Sequence, residues 1–115
     1  MIRTGVSKQE KEIVKFIKSS FPLMEIIEND RTIIKNPSTG HYLELDIWLP
    51  SIRCAIEYNG TYWHSNDSTK TRDLIKEYEC KKSNIHLLVL HEDNWKSYQN
   101  ESKAIIMEFI NEYSS

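Results

Sequence analysis

Tyr42 to Gly60 reads YLELDIWLPSIRCAIEYNG, and this stretch decides the fold. Its first part, Tyr42–Leu49, alternates: Leu43, Leu45 and Ile47 fall on one face of a strand, Glu44 and Asp46 on the other. Pro50 ends that strand. Arg53–Asn59 is a second strand, with Cys54, Ile56 and Tyr58 on one side and Glu57 and Asn59 on the other. The gap Pro50-Ser51-Ile52 is short enough for a tight hairpin, so the two strands are expected to pair antiparallel. Neighbouring strands then bring Asp46 and Glu57 together near one end of the hairpin. Two carboxylates in a partly buried place repel each other and call for a cation or a proton. Hard oxygen ligands of this kind suit Mg²⁺ or Mn²⁺.

Outward from the hairpin the chain reads as helix, strands, helix, strand, helix. Ser7 and Glu10 form an S-x-x-E capping box, so a helix runs from Ser7 to about Ser20, ahead of Pro22. Ile13, Val14, Ile17 and Phe21 form its apolar stripe, and Glu10 falls on that same buried face. The capping box alone also accounts for a Glu there. Met24–Glu28 and Arg31–Lys35 read as two strands joined by a turn at Asn29-Asp30. Asn36–Gly40 is a loop, and His64–Thr69 is polar and loop-like. Lys70–Ser83 reads as a helix, His86–Leu90 as a buried central strand, and Glu101–Tyr113 as a closing amphipathic helix with Ile105, Ile106, Phe109, Ile110 and Tyr113 apolar. The fold class is α/β, a single domain with a mixed central sheet flanked by helices.

Composition narrows the function. The 115 residues carry 15 basic and 17 acidic side chains, a formal charge of −2. That balance argues against a non-specific nucleic-acid coat protein, while local basic runs at Lys70–Arg72 and Lys81–Lys82 could still meet phosphates or simply be solvated helix faces. No apolar run is long enough to cross a bilayer and the N-terminus has no apolar targeting core, so an intracellular, cytoplasmic location without a membrane is expected. Cys54 and Cys80 form no CxxC unit; they read as two reduced thiols, one on a strand and one on a helix, and no structural zinc is expected.

The hairpin and the residues C-terminal to it, as far as His64, carry a resemblance. ELDIWLPSIR followed by CAIEYNGTYWH resembles the core of the very-short-patch repair (Vsr) endonucleases, without a gap from Asp46 to His64. Ser7-x-x-Glu10 resembles the first-helix acid of that family, and Arg72-Asp73 ahead of HLLVLHE resembles a further acid. The quartet Glu10, Asp46, His64 and Asp73 is also similar to the EDxHD arrangement of homing endonucleases with the same catalytic core. This resemblance reaches to about Trp95 and implies a restriction-endonuclease-like core of the PD-(D/E)XK superfamily. It departs from the repair enzymes at Glu57, where they lack an acid, at Asn59, where they have a His and the wider superfamily a Lys, and at Thr61, where a zinc cysteine would stand. Mismatch specificity is therefore not carried over.

The resemblance implies a metal-dependent DNA endonuclease, nicking or cutting both strands, with Mg²⁺ or Mn²⁺ as cofactor and DNA as partner. Asp46 would be the central metal ligand, the Tyr58 carbonyl a second ligand, and Glu57 a third ligand or the holder of a metal-bound water. Glu10 would bind through water, His64 would act as general base and Asp73 would orient its ring. Asn59 can only hydrogen-bond. Tyr62 and Trp63 would stack on bases or wedge into the duplex, with core packing the plain alternative for Trp63. Lys70, Arg72 and Lys76 would contact phosphates. His41, His86 and His91 read as structural or incidental. Cutting both strands would need a homodimer or two sequential nicks, and a bacterial or phage setting suits such an enzyme. Two rival readings are a Holliday-junction resolvase of the same superfamily and a catalytically inactive DNA-binding module, with Asn59 a mark of decay.

Overall fold

The structure is a computed structural model and describes residues 8–60 and 67–114, the first four of the second segment by backbone alone. Its elements are α1 (Lys8–Ser20), β1 (Ile27–Lys35), β2 (Tyr42–Leu49), β3 (Cys54–Asn59), α2 (Asp67–Lys82), β4 (His86–His91), α3 (Glu92–Ser97) and α4 (Gln99–Tyr113), with a 3₁₀ turn at Pro50–Ile52. One four-stranded sheet has the order β1-β2-β3-β4. β1–β2 and β2–β3 pair antiparallel, while β3 and β4 pair parallel. A parallel pair needs a crossover, and α2 supplies it. This is the expected mixed sheet between helices.

The two faces of the sheet bury different clusters. On one face Ile13, Val14 and Ile17 of α1 meet Ile47 and Ile56 of the sheet and Ile106 and Ile110 of α4. Trp95 of α3 closes this cluster, and its indole N–H donates to Glu12 Oε1 of α1 at 3.1 Å. On the other face Cys80 of α2 packs with Leu43, Leu45, Trp48, Ala55 and Ile85. Each fully buried Leu or Ile contributes roughly 1.5–3 kcal/mol, so this double layer is what holds the helices on the sheet. Both thiols are free and buried; burial pushes Cys54 up to about 12 and Cys80 to about 11, so they are inert apolar filling.

Arg53 stitches the hairpin to the crossover. It takes the left-handed conformation at φ 51° to close the 3₁₀ turn. Its guanidinium donates to the carbonyls of Ser83 at 2.7 Å and Asn84 at 3.3 Å, and its own carbonyl accepts from the His86 N–H at 2.9 Å. The end of α2 and the starts of β3 and β4 are thereby tied at one point.

Several sequence expectations are corrected. Residues 27–35 form one strand, not two strands around a turn at Asn29-Asp30. The strand absorbs the turn-like pair as an irregularity: its register against β2 shifts between Asp30 and Ile34, and Asn29 sits at φ 53°, a conformation Asn tolerates better than most residues. β4 is an edge strand, not a central one, since among the described residues it pairs only with β3. Its apolar run reflects packing against helices on both faces. α2 begins at Asp67 rather than Lys70, and the short α3 is an element that periodicity over six residues cannot reveal.

Candidate active site at the fork between β2 and β3

The hairpin forms as expected but stops early. The β2–β3 ladder holds Leu49 to Cys54, Trp48 to Ala55 and Ile47 to Ile56, and the ladder ends there. The next pair along would be Asp46 with Glu57. At that point the side chains take over from the backbone: the Asp46 N–H donates to Glu57 Oε2 at 2.8 Å, and the Tyr58 N–H donates to Asp46 Oδ2 at 3.0 Å. Each carboxylate thus satisfies a backbone donor that the lost ladder would leave bare. The strands fork, and the two acids stand in the fork.

The alternation of β2 slips at the same place. Leu43 and Leu45 lie in the cluster under α2 together with Trp48, while Ile47 and Leu49 lie in the cluster under α1 and α4. Strict alternation would put Leu45 and Ile47 on one face, as expected from the sequence; the structure puts them on opposite faces. Asn29, between Glu28 and Asp30 of β1, faces Asp46 across the strand and carries the matching irregularity. Asp46 therefore has no ladder pair on either side. That frees its backbone and carboxyl for the fork.

The charges around the fork are crowded. Burial raises the Asp46 carboxyl to about 8, with the Glu57 and Glu10 carboxylates adding to the rise against the pull of the Tyr58 N–H and Lys76. Burial likewise raises Glu57, and the Lys76 ammonium and the Asp46 N–H pull it back only in part. Burial works on Glu44 in the same sense, but hydrogen bonds from Arg31, Asn29 and Asp46 outweigh it and hold Glu44 low. Glu10 is 8% exposed on the inner side of α1, as the helical spacing predicts. Four acids thus share one region, and burial pushes both Asp46 and Glu57 up.

Lys76 occupies a place the sequence did not assign it. Expected as a phosphate contact, it reaches in from α2 and pairs with Glu57 Oε1 at 2.7 Å, with the two side chains 15% and 6% exposed. It lines the same cleft as Asn59. A helix crossing the sheet brings a cation to the fork from 19 residues beyond Glu57, which no local motif could signal.

Glu57, Asn59, Asp73, Lys76 and His91 line one cleft of about 230 Å³ between α2 and the ends of β3 and β4. Asp73, singled out by resemblance, lines this cleft. His91, read from the sequence as incidental, also joins it, because the parallel register sets it beside Asn59. His86 is structural: its ring stacks on Tyr113 at 3.6 Å. Arg72 lies elsewhere, in an open groove with His41 and Thr39. Tyr62, Trp63 and His64 lie outside the described residues, as does the Lys70 side chain. Gly60, which follows β3, does not have a positive φ, and a Cβ there would meet the Glu92 carboxylate at 3.4 Å, an ordinary contact.

The donor set suits a hard divalent cation. It consists of two buried carboxylates, Asp46 and Glu57, whose pKa values are raised by burial, with the Glu57 charge adding to the rise at Asp46. Among the described residues no three His, Cys, Asp or Glu side chains converge closely enough to hold an ion by themselves. Such an ion would keep several waters, which is how Mg²⁺ is commonly bound.

No family model matches the chain. A curated relative, uncharacterized protein 033L of Invertebrate iridescent virus 3, is 27% identical over 97 residues covering 75% of this chain. The chain spans about half the length of that relative, 50%. Among solved structures, the homing endonuclease I-Bth0305I catalytic domain matches with a TM-score of 0.71 at 18% identity, covering 96% of this chain and all (100%) of that one. The chain has the fold of that catalytic domain. No described helix is long and apolar enough to cross a membrane.

Proposed function

We propose that this chain is a metal-dependent DNA endonuclease whose active site is the fork between β2 and β3. The observation that carries the reading is the fork itself, where the strand ladder gives way to reciprocal bonds through Asp46 and Glu57. The fold likeness to a homing endonuclease catalytic domain supports it. Crowding buried acids with raised pKa values costs stability, and a bound cation would offset that cost.

Asp46, Glu57 and the Tyr58 carbonyl would hold Mg²⁺ or Mn²⁺, with Glu10 acting through water. The bound ion would compensate charge on the phosphate and make a coordinated water more acidic. The chain's own groups do the rest. The Tyr58 N–H holds Asp46 Oδ2, which fixes the orientation of the carboxyl. Glu57 is held from two sides, by the Asp46 N–H and by Lys76. Lys76 supplies to the cleft the positive charge that the Asn59 amide cannot, and would bear on the phosphate. His64, outside the described residues, would take the proton of the attacking water, with Asp73 of the cleft orienting it. Arg72 and Lys70 would contact flanking phosphates, and Tyr62 and Trp63 would stack on bases.

One observation favours a second reading, a DNA-binding module without catalysis: Glu57 is already neutralised by Lys76. Nicking of supercoiled plasmid separates the two. The nuclease reading expects relaxation in Mg²⁺ or Mn²⁺, none in EDTA, and loss of at least a hundredfold in rate in Asp46→Ala and His64→Ala. Wild type inactive on plasmid, mismatched and branched DNA alike would leave the binding module.

A further inference from the structure

His91 is the residue of the cleft that no sequence motif singles out. It ends β4 and precedes α3, whose N-terminus it caps by backbone alone: no hydrogen bond from its side chain closes that helix. Its ring hydrogen-bonds no described residue and is exposed. The parallel pairing of β3 and β4 sets His91 level with Asn59, so both side chains leave the same face of the sheet. Both line the cleft with Glu57, Asp73 and Lys76. Glu57 and Lys76 are committed to each other at 2.7 Å. The Asn59 amide and the His91 imidazole are not committed among the described residues.

We propose that Asn59 and His91 form a two-donor clamp on the non-bridging oxygens of the phosphate being cut. This deepens the nuclease reading and rests on it. An amide and an imidazole each present an N–H to an anionic oxygen, and two donors on adjacent strands fix a tetrahedral phosphate better than one flexible chain. The rigid ladder between β3 and β4 sets their separation, so the pair is organised before DNA arrives. The clamp accounts for Asn at a position where a lysine would be expected: the cation has moved to Lys76 and the strand position is left to hydrogen bonding.

Two readouts test this with the whole chain. In EDTA, a short DNA duplex is titrated in while the ring C–H signals of the four histidines are followed by NMR. The His91 signal is expected to shift with saturation, and that of His86, held against Tyr113, to stay. In single-turnover nicking with Mg²⁺, His91→Ala is expected to slow the cut about 30-fold with less than threefold change in DNA affinity. His91→Gln, which restores an N–H donor, should recover part of that, and Asn59→Ala with His91→Ala should be little slower than the worse single variant. Wild type that binds and nicks DNA while the His91 signal stays put, or His91→Ala that nicks at the wild-type rate, overturns the clamp and spares the nuclease reading. Wild type that neither binds nor nicks DNA overturns both.

Discussion

At the scale of the residue, the fork is a problem of charge. Lys76 and Glu57 are buried together, and removing one partner of such a pair strands the other, at a cost of roughly 3 kcal/mol. Lys76→Met is therefore expected to lower the urea midpoint clearly at pH 8, and the double variant Glu57→Gln with Lys76→Met to recover most of the loss. Equal loss in both variants would mean that Lys76 contributes by packing alone. Asp46 gives a pH prediction. Its carboxyl lies at about 8 in the folded chain, raised from 3.8. A raised pKa means the folded state keeps a proton that the unfolded state releases. The contribution of Asp46 to stability is thus whole below about pH 4 and is lost as pH rises through about 8. Asp46→Asn keeps an oxygen for the Tyr58 N–H and removes the ionisation. It is expected to raise the melting temperature by roughly 5 °C at pH 9 and to change it little at pH 4, in metal-free buffer. A variant less stable than wild type at pH 9 would show that burial does not hold Asp46 neutral.

At the scale of the element, what was legible and what was not divides along local and non-local physics. The hairpin, the buried side of α1 including Glu10, and the crossover helix follow from period, capping and Pro position. The slip at Asp46 does not, because alternation assumes a regular ladder and the slip is made jointly with Asn29 on another strand. Asn29-Asp30 reads as a turn since those residues favour turns, and the strand uses the same tolerance for an irregularity instead. β4 reads as central because an apolar run reports burial on two faces and says nothing of its edges. Asn84 illustrates backbone that local chemistry does settle. It sits at φ 59° after α2, and the Ile85 N–H closes back on the Cys80 carbonyl at 2.8 Å. Asn84→Ala is expected to lose about 1 kcal/mol and Asn84→Gly nothing, read from urea unfolding. Equal losses would place the role of Asn84 in its side chain.

At the scale of the molecule, an α/β sandwich with a mixed sheet was readable from the order of elements, and the likeness to a homing endonuclease catalytic domain agrees with it. The candidate site was half readable. Asp46 and Glu57 meet at the fork as their strand spacing suggests, and Asn59 and Asp73, the latter singled out by resemblance, line the cleft beside it. Lys76 in its pairing role and His91 did not announce themselves, since each reaches the site through the crossover and the parallel register. The central claim is that the fork is a divalent-cation site. Mn²⁺ binding, followed by electron paramagnetic resonance of the free ion at pH 8, tests it most directly on wild type beside Asp46→Asn. One saturable ion per chain, weakened at least tenfold in Asp46→Asn, is the predicted result. No saturable binding by wild type, or equal binding by the variant, would contradict the account.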